Sequence, residues 1–163
     1  MFQAAAIAAV DPAALYAELA RQAEGLLAGE RDWIANAANL SALIFTSLPD
    51  LNWAGFYFLK GGTLVLGPFQ GKPACVRIAM GRGVCGAAAQ QRKTLRVEDV
   101  NAFPDHIACD SASRSELVVP LIADGRVLGV LDLDSPKPSR FSPADQIGLE
   151  QLAAIFLAAS DAP

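Results

Sequence analysis

Apolar positions in this chain recur first with the period of a helix, then with that of a strand, and at the end with that of a helix again. Asp11-Pro12 is a helix start, an N-cap carboxylate followed by proline at the first helical position. Leu15, Leu19, Ala23 and Leu26 then follow at helical spacing as far as Gly29. Trp33, Ala37, Leu40, Ile44 and Leu48 form a second stripe, which predicts a helix from about Asp32 that stops before Pro49. From Leu51 the period falls to two. NWAGFYFLK and TLVLGPF, joined by Gly61-Gly62, predict a hairpin. A short strand at Val76 to Ile78, a small helix at about Val84 to Gln91 and a strand at Thr94 to Val97 come next, followed by a long loop from Glu98 to Ser115. Leu117 to Ile122 and Val127 to Leu133 make a second hairpin across Asp124-Gly125. Ser142-Pro143 opens a last helix with Leu149, Leu152, Ala153 and Phe156 on its buried stripe. This order predicts an α+β domain: a mostly antiparallel central sheet with the N- and C-terminal helices on one face and the cysteine loops on the other.

At 163 residues the whole chain, 1–163, reads as a single domain with one core. Its hydrophobic content of 53% is raised by alanine, and no run reaches the ~20 apolar residues of a spanning helix. MFQAAAIAAV lacks a basic start and is cut short by Asp11-Pro12, so a signal peptide is not expected and a cytoplasmic location is. The net charge of −4, without any Lys/Arg cluster, makes nucleic acid and anionic membranes poor partners. Alanine-rich helices can approach closely, either as a scaffold layer within the chain or against another subunit.

The candidate chemistry lies between Gly67 and Ser135. Three cysteines, Cys75, Cys85 and Cys109, sit in segments rich in Gly, Pro or small residues, where backbone can bend or approach a ligand. An odd count argues against a secreted disulfide scaffold, and no C-x₂-C pair gives the spacing of a zinc module, so no metal is expected. Cys85, beside Val84 and Ala88, reads first as a core residue. Cys109 lies on a loop between His106 and Asp110, where a thiol can meet a substrate and backbone N–H groups can stabilise a thiolate. Asp132 and Asp134 alternate with Leu131 and Leu133, so the carboxylates share one strand face with Val130, facing either a pocket or solvent. Glu116 opens the preceding strand. Trp53 and Tyr57 read as core or as a binding wall.

NWAGFYF, LGPFQGKPAC, GRGVCG, FPDHIACD, SELVVPL and GVLDLDS, in this order and spacing, resemble the GAF-domain free methionine-(R)-sulfoxide reductases. The resemblance implies a GAF-like fold and thiol-dependent reduction of free methionine-(R)-sulfoxide, with no organic or metal cofactor. It implies Cys109 as nucleophile, Cys75 as resolving cysteine, and Cys85 as a second resolving partner or an accessory. Trp53, Tyr57, Glu116, Asp132 and Asp134 match the substrate-binding positions. A sulfenic acid on Cys109 would condense with a second thiol to a disulfide, which thioredoxin or a similar dithiol would reduce. The expected assembly is a homodimer. One position departs from the family pattern: Asp105 stands where glycine is expected, and its charge would raise the pKa of a nearby thiol. A non-catalytic GAF module that binds a small molecule, or a redox sensor, is the alternative. The three thiols weigh against the binding module, and the expected lack of an appended output domain weighs against both.

Overall fold

The computed structural model describes residues 7, 11–104 and 110–162. Asp105, His106 and Cys109 therefore lie outside the described residues.

The first helix, α1 (Pro12–Leu27), starts where the sequence places it, with the Asp11 carboxylate accepting from the Ala14 N–H at 2.9 Å. Its buried stripe is rotated slightly from the expected one: Tyr16, Leu19, Ala23 and Leu27 are buried, while Leu15 and Leu26 lie at the stripe's edge. The second helix, α2 (Trp33–Ser47), is capped by Asp32, which accepts from Ile34 and Ala35 N–H, and buries its predicted stripe. The hairpin follows as β1 (Trp53–Lys60) and β2 (Thr63–Gly71). Next come β3 (Arg77–Ala79), α3 (Gly83–Gln91) and β4 (Leu95–Val97), each within a residue of its expected limits. A 3₁₀ turn at Val100–Ala102 lies in the long loop. The second hairpin, β5 (Ser115–Ala123) and β6 (Arg126–Ser135), is longer than its apolar run, because pairing continues through Glu116↔Asp134 to Ser115↔Ser135. The last helix, α4 (Pro143–Ala159), begins with a capping box between Ser142 and Asp145. None of the described helices is long and apolar enough to cross a membrane.

The six strands form one antiparallel sheet in the order β3-β2-β1-β6-β5-β4, so β1, β6 and β5 are neighbours at its centre. On one face, Ala54, Phe56 and Phe58 of β1, Leu131 and Leu133 of β6, and Leu117, Val119 and Leu121 of β5 pack under α1, α2 and α4. Helix α4 lies so close to α1 that a Cβ on Gly148 would stand 2.1 Å from the Tyr16 ring. The Tyr16 hydroxyl donates to Asp145 at 2.8 Å, which ties the two helices together beneath the capping box. The opposite face carries α3, and under it Trp53, Tyr57, Val118, Val130 and Cys85 form a second, smaller cluster. The fold expected from the period of the apolar positions is the fold observed.

Candidate active site

The second face encloses a cavity against the centre of the sheet. Its walls include Trp53 and Tyr57 of β1, Asp132 and Asp134 of β6, Glu116 of β5, Cys85 of α3, and Lys72, Pro73 and Ala74 from the segment before β3. Strand pairing places these side chains. Trp53 pairs with Asp134, and Asp134 in turn with Glu116, so three alternating positions on three adjacent strands face the same way. Asp132 pairs with Gly55, where a Cβ would stand 2.8 Å from the Trp53 ring and 2.3 Å from the Phe69 Cβ. Glycine is required there so that Trp53 can lie flat between Phe69 and Tyr57, at ring separations of 5.3 and 5.8 Å.

Helix α3 lies across the carboxylates and closes this face from solvent. Glu116 and Asp132 are buried, Asp134 is half-buried, and the Cys85 sulfur lies 3.8 Å from Glu116 Oε1. Three carboxylates enclosed together cannot all ionise cheaply. Burial first, and then the charges of Asp132 and Asp134, push Glu116 well above the carboxylate range. Enclosure and then the charge of Asp132 push Asp134 up. Burial pushes Asp132 up to about 7, opposed by hydrogen bonds from Cys85 and Glu116. The Cys85 thiol is raised by burial and then by the carboxylates beside it, so it is held as a thiol. Asp132 Oδ1 and Trp53 Nε1, both buried in the cavity wall, have no hydrogen-bond partner among the described residues. At the rim, Lys72 Nζ lies 3.3 Å from Asp110, and Arg82 and Gly83 bring the first turn of α3 to the cavity.

The sequence-predicted residues divide as follows. Trp53, Tyr57, Cys85, Glu116, Asp132 and Asp134 line one cavity. Cys75, just outside it, is disulfide-bonded, and its carbonyl accepts from the Tyr57 hydroxyl at 2.9 Å. Cys85 is a free, buried thiol that packs in the core as expected and also meets Glu116, which the reading of an apolar helical segment did not include. Cys109 lies outside the described residues. Sequence reasoning missed the support of the loop that carries it. Asn52 donates to Asp110 at 3.2 Å and to Ser113 at 3.0 Å, while its own backbone N–H is held by the Asp134 carbonyl. Nothing in the pattern around Asn52 signals this role, since its partners lie about sixty residues away.

The chain matches the GAF domain family over residues 3–159. It is 55% identical to a free methionine-R-sulfoxide reductase of Escherichia coli over 139 residues, 85% of this chain and 84% of that one. A Saccharomyces cerevisiae protein of the same name is 48% identical over 141 residues, 82% of this chain and 78% of its own. Among solved structures, a free methionine-R-sulfoxide reductase of Neisseria meningitidis in complex with its substrate superposes with a TM-score of 0.93. It is 47% identical, with 98% of this chain and 95% of that one covered.

Proposed function

Since this chain belongs to the GAF-domain family, on the branch of the free methionine-R-sulfoxide reductases, we propose that it reduces free methionine-(R)-sulfoxide to methionine. The observation that carries this reading is the single cavity in which an aromatic wall faces three carboxylates of raised pKa. An amino-acid ammonium satisfies carboxylates that otherwise resist ionising, and Trp53 and Tyr57 offer a flat apolar surface to an S-methyl group. At the rim, Lys72, Arg82 and the N–H groups of the first turn of α3 suit the substrate carboxylate. A peptide-bound residue lacks both charges, which accounts for a preference for the free amino acid.

The reaction asks for a proton on the sulfoxide oxygen as a thiolate attacks sulfur. A carboxylic acid still protonated near neutral pH supplies it, and the buried Glu116–Asp132 pair holds such a proton. Attack by Cys109 breaks the S–O bond, releases methionine and leaves a sulfenic acid. Cys75 then attacks that sulfur, expelling water and forming a disulfide. Support for Cys75 over Cys85 comes from their states, Cys75 being disulfide-bonded while Cys85 keeps a free thiol held protonated by its surroundings. A dithiol protein such as thioredoxin returns both cysteines to thiols. The assembly we propose is a homodimer, for which Ile147, 68% exposed on α4 beside the alanines of α1, offers an apolar contact.

The test is incubation with separated free sulfoxide epimers and dithiothreitol. Methionine should form from the free R epimer, and at least tenfold more slowly from the S epimer or an N-acetylated, amidated substrate. Equal rates with free and blocked substrates would overturn the enclosed-cavity reading. Cys75→Ser should release about one methionine per chain and then stall when only thioredoxin is supplied. Continued turnover would remove Cys75 from the resolving step.

A further inference from the structure

The thiol of Cys85 and the carboxylates of Glu116 and Asp132 converge, with one ligand atom from each lying within 4.8 Å of the others. All three side chains are buried, and they come from three elements, α3, β5 and β6. A tetrahedral zinc ion with Zn–S near 2.3 Å and Zn–O near 2.0–2.2 Å sets neighbouring ligand atoms roughly 3.5 Å apart. The Cys85 Sγ to Glu116 Oε1 distance of 3.8 Å is close to that edge. A second observation is Asp132, 5% exposed and hydrogen-bonded by Cys85 and Glu116, whose Oδ1 is buried in the cavity wall without a hydrogen-bond partner among the described residues.

From this geometry we propose that the cavity binds a divalent cation of the zinc type, held by Cys85 Sγ and by the carboxylates of Glu116 and Asp132, with water as fourth ligand. Zinc fits this donor set better than magnesium or calcium, which prefer all-oxygen shells of six or more ligands. Binding is an exchange without redox change: Cys85 and any protonated carboxylate release protons to solvent, and the aqueous ion gives up water. Because the ion takes carboxylates that face the substrate position, it acts as a reversible, competitive inhibitor. The site itself rests on the cluster alone and stands whether or not the chain reduces sulfoxides.

The experiment uses the full chain carrying Cys75→Ser and Cys109→Ser, so that Cys85 is its one thiol, titrated with Co²⁺ and then with Zn²⁺. The expected result is one metal per chain, a thiolate-to-cobalt charge-transfer band in the near ultraviolet, and displacement of cobalt by zinc. Cys85→Ser should remove the band, and Asp132→Asn should weaken affinity more than tenfold with the band retained at saturation. Free methionine should raise the apparent Kd for zinc. No charge-transfer band, a band that survives Cys85→Ser, or zinc affinity unchanged by Asp132→Asn would each overturn the site. Metal binding as described with no effect of methionine would overturn the competitive role.

Discussion

On β6, Leu131 and Leu133 point into a dry layer of leucine, phenylalanine and alanine beneath three helices, whereas Val130, Asp132 and Asp134 point the opposite way, toward a cavity of acids. The two faces of the same strand are thus subject to opposite demands. On the helix face Leu131 and Leu133 are fully buried among apolar neighbours, and their burial favours folding. On the cavity face Glu116 and Asp132 are buried nearly as deeply, yet each resists ionisation there, and Asp132 Oδ1 has no hydrogen-bond partner among the described residues. The comparison teaches that the helix face carries the stability that the cavity face gives up.

The sharpest way to break the comparison is to exchange chemistries between the faces. Leu133→Asp places an unpaired carboxylate in the apolar layer. The expected loss is roughly 5 kcal/mol in urea unfolding, comparable with the whole ~5–15 kcal/mol of a typical domain, so that little folded protein survives. A variant that unfolds at the wild-type midpoint would show that the helix face tolerates charge, and the contrast would disappear.

A smaller effect separates function from stability on the cavity face. Asp134→Asn keeps the shape of the side chain opposite Glu116 and removes its ionisable carboxyl. We expect kcat/KM for free methionine-(R)-sulfoxide to fall at least tenfold, about 1.4 kcal/mol, with the unfolding midpoint unchanged or raised. Unchanged kcat/KM would place Asp134 outside the binding machinery.

The sequence made one half of this contrast legible and left the other open, for a physical reason. The period of two on β6 fixes that leucines and aspartates lie on opposite faces, and the helical stripes of α1, α2 and α4 account for the cover on the leucine side. Whether the aspartate face meets solvent or a pocket depends on where α3 crosses the sheet, which no local spacing encodes. The same crossing brings Cys85 within reach of Glu116, thirty-one residues further along the chain, so a thiol that reads locally as core also lines the cavity. The Asn52 tether to Asp110 and Ser113 is likewise a product of folding over long separation. Motif resemblance supplied what periodicity lacked, because it carries the three-dimensional neighbourhood with it.

The central claim, that the cavity face holds its acids at a cost, is tested most directly by thermal unfolding of the wild type and Asp132→Asn without substrate, at about pH 5 and about pH 8. Asp132 is raised from 3.8 to about 7 on folding. The folded state therefore binds more protons than the unfolded one between these values, and stability falls as pH rises through that window. The contribution of the protonated acid is complete below about 4 and is lost as pH passes about 7. An asparagine has no proton to lose. The account predicts a variant somewhat more stable than the wild type at pH 5, with an excess that grows by at least ~2–4 °C, about 1 kcal/mol for a chain of this size, on going to pH 8. A variant equally stable or less stable than the wild type at pH 8 would contradict it.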